Sequence, residues 1–234
     1  MKVVILTGGY GTRISEYTQR IPKPMIKIGG VPMLTHIMRI FTSYGFKNFI
    51  IAAGYKKEII RSYYKGSKEF SNLRVVDTGK NTMTGGRILR LKSYFKKNEV
   101  FFMTYGDGLC NLNLIKLKKF HDNHGKLATV TAVHPPVRFG ELEIKNNKVL
   151  NFNEKPETKS TWINGGFFIL NYKVFDYIKN DSISFERQPM ENLAKNNKLM
   201  AFKHEGFWKC MDNLGDKNLL DKMCTENKKI PWIN

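Results

Sequence analysis

KVVILTGGYGTRI, residues 2–14, is a β-rich apolar run that stops abruptly at a pair of glycines. A third glycine, Gly11, follows, and then Thr12 and Arg13. The apolar residues at 3–6 are continuous rather than alternating, which suits a strand buried on both faces. Such strands belong to parallel sheets covered by helices on either side. Ligands bind these sheets outside the carboxyl ends of the strands. The glycine loop therefore stands at a functional edge before any motif is considered.

The rest of the first half repeats the pattern. Short β-rich runs at 48–53, 74–76, 100–105 and 127–133 alternate with helical patterns at 32–44, 57–64, 86–95 and 112–124. This β-α-β-α order predicts an α/β fold with a mostly parallel sheet. After Val133 the rhythm changes. Residues 138–144 and 148–153 read as a hairpin around Asn146-Asn147, a good turn pair. A strand is expected at 161–170, an amphipathic helix at 184–195 with Ser184 as N-cap, a short strand at 199–204 and a closing helix at 213–225. No repeat, low-complexity segment or linker divides the chain.

Composition narrows the class. The 234 residues suffice for one α/β domain with a real core. An apolar fraction of 41% excludes wholesale disorder. No run approaches the ~18–20 apolar residues that span a bilayer, and the start lacks a signal-peptide pattern. Cys110, Cys210 and Cys224 are odd in number and show no metal-ligand spacing, so reduced thiols in a cytoplasmic protein are expected. The formal net charge of +19 suits a partner rich in negative charge. The lysines are scattered in pairs such as Lys56-Lys57 and Lys118-Lys119, which reads as a solvated surface rather than a specific nucleic-acid footprint.

The opening loop is neither of the common nucleotide motifs. Gly9 and Gly11 match the start of a dinucleotide fingerprint, but Ile14 stands where its third glycine belongs. No Gly-Lys-Ser/Thr follows, which removes the P-loop. Glycines here let backbone N–H groups approach an anion closely. Arg13 offers a fork suited to phosphate oxygens, and Lys23, between Pro22 and Pro24, adds a point charge on a restricted backbone.

Gly8-Gly9-Tyr10-Gly11-Thr12-Arg13, followed by Pro22-Lys23-Pro24, closely resembles the signature of the sugar-1-phosphate nucleotidylyltransferases. VDTGKNTMTGGR at 76–87 is similar to the segment characteristic of the glucose-1-phosphate cytidylyltransferase branch. TYGDG (104–108), RFGELEI (138–144), NEKPE (153–157), INGGFF (163–168) and GFWKCMD (206–212) follow in that family's order, so the resemblance covers nearly the whole chain. It implies a Rossmann-like three-layer α/β/α fold with a mixed, mostly parallel sheet and a smaller strand-rich acceptor-binding extension. It also implies one nucleotidyltransferase domain, with a nucleotide half at 1–133 and an acceptor half at 134–234.

The resemblance implies transfer of CMP from CTP to a small phosphorylated acceptor, first of all glucose 1-phosphate to give CDP-glucose for surface-polysaccharide synthesis, with release of pyrophosphate and Mg2+ as cofactor. Gly8, Gly9, Gly11 and Thr12 would cradle the triphosphate, and Arg13 and Lys23 would neutralise charge on it. Asp107 ends a buried strand, where a carboxylate is costly without a partner such as Mg2+; the plain alternative is a turn cap. Asp212 is the second metal ligand by resemblance. Thr84, Gly86 and Arg87 either recognise cytosine or simply start a helix with an exposed arginine. Glu154 and Lys155 would hold the acceptor's hydroxyls and phosphate. Asn164 and Gly165 interrupt an apolar strand, so they mark either acceptor contact or a β-bulge with the asparagine satisfied internally. The histidines at 121, 124 and 134 have no task in this chemistry and read as structural.

Three departures set this chain apart within the family. The segment between Tyr64 and Arg74 is short, Gly215 replaces an arginine, and Thr7 replaces an alanine. They leave a second acceptor class open: a phosphorylated amino acid such as phosphoglutamine, in capsule phosphoramidate synthesis. A sensor without catalysis and a basic nucleic-acid-binding module are weaker readings. A homo-oligomer smaller than that of the longer relatives is the expected assembly.

Overall fold

The structure, a computed structural model, describes residues 1–135, 141–153, 161–226 and 229–233. In chain order, β1 (Lys2–Thr7) leads through the glycine loop to α1 (Ser15–Thr18) and a small ribbon of β2 (Lys27–Ile28) and β3 (Val31–Pro32). There follow α2 (Met33–Ser43), β4 (Asn48–Ala53), α3 (Lys57–Tyr64), β5 (Leu73–Asp77), α4 (Thr84–Leu89) and β6 (Val100–Tyr105). Then come β7 (Gly108–Cys110), α5 (Leu114–His124), β8 (Ala128–Val133), and the hairpin β9 (Glu141–Lys145) and β10 (Lys148–Asn153). The chain finishes with β11 (Ile163–Asn171), α6 (Gln188–Lys195), β12 (Leu199–Lys203), β13 (Trp208–Cys210) and α7 (Leu214–Glu226).

Seven strands form the main sheet in the order β12-β8-β11-β6-β1-β4-β5. β1 pairs in parallel with both β4 and β6, β4 with β5, and β8 with β12. Only β11 runs against its neighbours β6 and β8. The expected mixed, mostly parallel sheet is therefore present, and the second half of the chain extends it.

Successive residues of β1 point to opposite faces. Val3 and Ile5 enter one core with Phe41, Phe49, Phe102 and Phe167, which α2, α3, α5 and α7 cover. Val4 and Leu6 enter the other with Phe101, Phe168, Phe175 and Leu193, beneath α4 and α6. Two cores on one strand explain its unbroken apolar run. Trp232, fully buried, docks edge-on against His36 of α2 and ties the end of the chain to the first core.

The elements depart from expectation in two places. The helix expected over 86–95 begins at Thr84 and stops at Leu89, and a 3-10 turn at Lys92–Tyr94 follows. The break lets Leu91 and Phe95 both enter the second core. Ser184 is not an N-cap: its carbonyl accepts from Arg187 N in a preceding turn, and α6 begins only at Gln188, with proline in its first turn. The hairpin lies where expected, with Asn146 and Asn147 both at positive φ, 49° and 62°, as a type I′ turn requires. Its expected first residues, 138–140, lie outside the described residues.

Candidate nucleotide site

A cavity of about 500 Å3 opens at the carboxyl ends of β1, β5 and β6. The loop after β1 forms one wall, residues 80–84 the other, and Tyr105, Gly106 and Asp107 the floor. Gly8, Gly9, Gly11, Thr12, Arg13, Lys23, Thr84, Arg87, Asp107 and Asp212 all line it. Residues far apart in sequence thus converge on one space, because β1 and β6 are adjacent and β7 pairs with β13 to deliver Asp212 beside Asp107.

The charged centre is compact. Lys23 Nζ donates to Asp107 Oδ2 at 2.6 Å and to Asp212 Oδ1 at 3.3 Å. Arg13 reaches the other oxygen of Asp212 at 3.0 Å while its side chain stays 70% exposed. Burial pushes the Asp212 carboxyl up, but Lys23 and Arg13 outweigh it and hold the group below the usual carboxylate range. Asp216 accepts from the backbone N–H of Asp212 at 3.0 Å, which fixes the turn that presents it.

Asp107 and Asp212 meet the chemical requirements for Mg2+. They are hard oxygen donors, both within reach of one point, and they border a cavity sized for phosphates. Mg2+ is commonly bound by one or two carboxylates plus phosphate oxygens, and among the described residues no larger ligand cluster exists. The ammonium of Lys23 takes the position between them.

Arg87 does not face the base as an exposed fork. It is only 4% exposed. Its guanidinium donates to Thr78 Oγ1 (2.9 Å), Gly79 O (2.6 Å), Gly8 O (2.9 Å) and Lys80 O (3.2 Å). It therefore clasps the loop after β1 to the loop after β5, and the two walls of the cavity hold together through it. The clasp also explains the first glycine: a Cβ on Gly8 would lie 2.0 Å from the guanidinium carbon.

Gly86 is turned away from the cavity. Its Cα packs against the backbone of Asp181, and its carbonyl accepts from Arg90 N. The glycine pair at 85–86 admits the 181–185 segment rather than a base. Asn164 lies at a register shift in β11, and its Oδ1 accepts from Gly166 N at 2.8 Å, so the bulge with a satisfied side-chain oxygen is present. Gly165 packs on Val133 and Thr131 O. Neither lines the cavity. Glu154 and Lys155 lie outside the described residues. His121 and His124 share the Thr129 hydroxyl, and His134 stacks on Trp162 at 3.9 Å, away from the charged centre.

Some cavity residues escaped sequence reasoning. Tyr10 donates to Asn81 Oδ1 at 2.6 Å and packs on Tyr55, closing the rim. Tyr105 and Thr84 both meet Glu186, a residue in no recognised motif. The glycine at 166 was the available signal for Tyr105, as its Cα lies under that ring.

A doubly wound sheet with a glycine loop, paired cations and two converging carboxylates at its carboxyl edge defines a nucleotide-handling site. Residues 2–213 match the family model described as nucleotidyl transferase, and the chain belongs to that family. It is 44% identical to glucose-1-phosphate cytidylyltransferase of Salmonella typhimurium, over 99% of this chain and 98% of the relative. It is 41% identical to the probable glucose-1-phosphate cytidylyltransferase of Bacillus subtilis, over 98% of each. The Salmonella alignment extends over 254 positions against 234 residues here, so that relative carries residues this chain lacks. HddC from Yersinia pseudotuberculosis, solved complexed with GMP-PN, matches with a TM-score of 0.73 at 27% identity, over 94% of this chain and 98% of that one. Members of the family use a nucleoside triphosphate and a divalent metal. Among the described residues no helix is long and apolar enough to cross a membrane.

Proposed function

We propose that the chain transfers CMP from CTP to glucose 1-phosphate, forming CDP-glucose and pyrophosphate. The observation that carries this reading is full-length identity of 44% to a glucose-1-phosphate cytidylyltransferase, together with the convergence of Arg13, Lys23, Asp107 and Asp212 on one cavity.

The acceptor phosphate is already an anionic nucleophile, so no protein nucleophile or strong base is needed. One of its oxygens bonds to the α-phosphorus as the bond from that phosphorus to the bridging oxygen of the pyrophosphate breaks. The protein's task is to bring two polyanions together and neutralise charge. The glycine loop supplies backbone donors for the triphosphate. Lys23 stands beside the α-phosphate, and Arg13, largely exposed at the cavity mouth, meets the leaving pyrophosphate. Asp107 and Asp212 would hold Mg2+, which would supply further charge neutralisation. Arg87 keeps the walls at the width the nucleotide needs. Glu154, Lys155 and Asn164 serve the acceptor half.

Pyrophosphate release tests the reading. CTP, Mg2+ and glucose 1-phosphate with the protein release it, and Asp107→Asn abolishes release. Silence with glucose 1-phosphate, but release with a phosphorylated amino acid, removes the sugar and keeps the reaction class.

The assembly we propose is a homo-oligomer joined through the β9–β10 hairpin. Leu142 pairs with Phe152 and Ile144 with Val149 across it, and all four are about half exposed or more. A two-stranded hairpin is marginal alone. Four exposed apolar side chains gathered on one small hairpin form the kind of patch that marks an interaction site. Leu142→Lys with Phe152→Lys shifts the protein to monomer in sedimentation; an unchanged mass removes the hairpin interface.

A further inference from the structure

We infer that Glu186 is a positioning residue for the nucleotide. Its carboxylate ties the cavity wall at Met83-Thr84 to the cavity floor at Tyr105, and so holds the slot for the base at pyrimidine width. The inference rests on the functional reading above and deepens it.

Charge divides the cavity. Lys23, Arg13, Asp107 and Asp212 gather where β6 ends. Residues 80–84 follow β5, and β1 and β4 lie between β5 and β6 in the sheet. A triphosphate goes to the cations, which leaves the base for the wall after β5. There Met83, from that wall, and Tyr10, from the loop after β1, line the cavity and stay exposed. The flat, largely apolar face of a nucleobase suits such surfaces.

The wall is held from behind. Met83 N donates to Asp181 O and Gly85 N to Ile183 O, both at 2.9 Å. Phe185 N donates to Thr84 Oγ1 at 2.8 Å. Segment 181–185 thus backs the wall as an added strand would. Glycines let it come close: a Cβ on Gly85 would lie 2.6 Å from Ile183 O, and one on Gly86 2.4 Å from Asp181 Cα.

Glu186 is the next residue, and it joins this backing to the floor. Thr84 Oγ1 donates to Glu186 Oε2 at 2.6 Å, and the Tyr105 hydroxyl donates to Glu186 Oε1. Burial, with the Glu186 charge beside it, pushes the Tyr105 phenol up, so it stays protonated and donates. Each hydroxyl has one proton, and both are committed to the one carboxylate. The floor itself is fixed independently. A Cβ at Gly166 would lie 2.7 Å from Tyr105 Cδ2, so glycine there lets the ring pack on β11. The wall reaches that fixed floor through Glu186. A purine exceeds a pyrimidine by a fused ring. Freed from the floor, the wall gives way to the larger base and grips the smaller one less.

Calorimetric titration of CTP and of GTP, each with Mg2+, reads the slot without any acceptor. The wild type binds CTP more tightly. Glu186→Ala weakens CTP about 10-fold, the loss expected for a hydrogen bond to a charged group, while GTP binding does not weaken. Tyr105→Phe breaks the same tie from the other side and shifts the ratio in the same direction. Glu186→Gln restores most of the preference, because its amide can accept from one hydroxyl and donate to the other. A merely structural lesion weakens both nucleotides alike. Equal losses for CTP and GTP in Glu186→Ala, no loss for either, or a wild type that binds GTP as tightly as CTP overturns the proposal. A wild type that prefers CTP in the titration but releases no pyrophosphate with any phosphorylated acceptor overturns the functional reading and leaves the slot standing.

Discussion

Lys23 Nζ lies 2.6 Å from Asp107 Oδ2, across 84 positions of sequence. The same nitrogen is 3.3 Å from Asp212 Oδ1. One ammonium thus holds two carboxylates that would otherwise repel each other in a partly enclosed site. Both carboxylates are metal-ligand candidates, so the lysine and the dication compete for one neighbourhood until phosphates arrive.

Lys23→Met is expected to lower turnover by ~10^2–10^3-fold, the loss typical for one positioned donor in a charge-stabilising site. With Mg2+ alone, without nucleotide, the melting temperature of the variant rises more than that of the wild type. The two carboxylates are then left to the dication. Equal shifts in a thermal melt would remove the shared metal site.

Lys23→Met also changes acid behaviour. The Asp212 carboxyl is held below its ordinary value in the fold, so its stabilising contribution is present above about pH 3.9 and is lost as pH falls through the folded value. Without Lys23 the folded value moves up, and unfolding at acid pH begins earlier. Acid titrations of the two proteins by circular dichroism compare them directly.

Arg13 and Arg87 should separate activity from stability. Arg13 is largely exposed, so Arg13→Met shifts stability by no more than ~0.5 kcal/mol. Its turnover falls about 100-fold. Arg87→Met leaves the carbonyls of Gly79 and Lys80 without this donor, while Gly8 O keeps only the longer bond from Tyr55 N. An unsatisfied buried acceptor costs about 1–3 kcal/mol, so a total near 3 kcal/mol and a melting temperature lower by roughly 6–12 °C are expected. Its KM for CTP rises as the cavity walls part.

Four histidines should make the fold acid-sensitive above the carboxylate range. Burial lowers His36, His121, His124 and His204, and carries His121 down to about 4. A neutral His36 suits its bonds: it accepts from Trp232 Nε1 at Nδ1, while its Nε2 donates to the Ile28 carbonyl. Each group is neutral in the fold and titrates near 6.5 when unfolded. Their stabilisation is complete above that value and is lost as pH falls through each folded value, which for His121 means toward about 4. The unfolding midpoint in urea should hold from pH 8 to 7 and fall steeply from 6.5 to 4.5. His121→Gln reduces the slope.

Much of the candidate site could be read along the chain. Gly8 to Arg13, Lys23, Asp107 and Asp212 are recognisable from local motifs, and all reach the cavity. Arg87 misled the reading because its motif tells nothing about direction. An arginine at a helix start is normally solvated, and only the approach of the loop after β1 gives it carbonyls to bind. Glu186 had no signal at all, since it stands in an irregular turn between Ser184 and α6. The glycine pairs at 85–86 and 165–166 suggested ligand approach, yet the neighbours that fill those spaces are Asp181, Val133 and Tyr105.

By itself, the sequence determined the elements and the glycine loop. Unbroken apolar strands, amphipathic helices and positive-φ turn residues are local properties, and short-range sterics and solvation enforce them. Only the tertiary structure decided which side chains share the cavity and which way Arg87 and Tyr105 point. Those outcomes follow from strand order, with β6 beside β1 and the reversed β11 beside β6. They bring together groups that the chain itself keeps many residues apart, where no local preference can act.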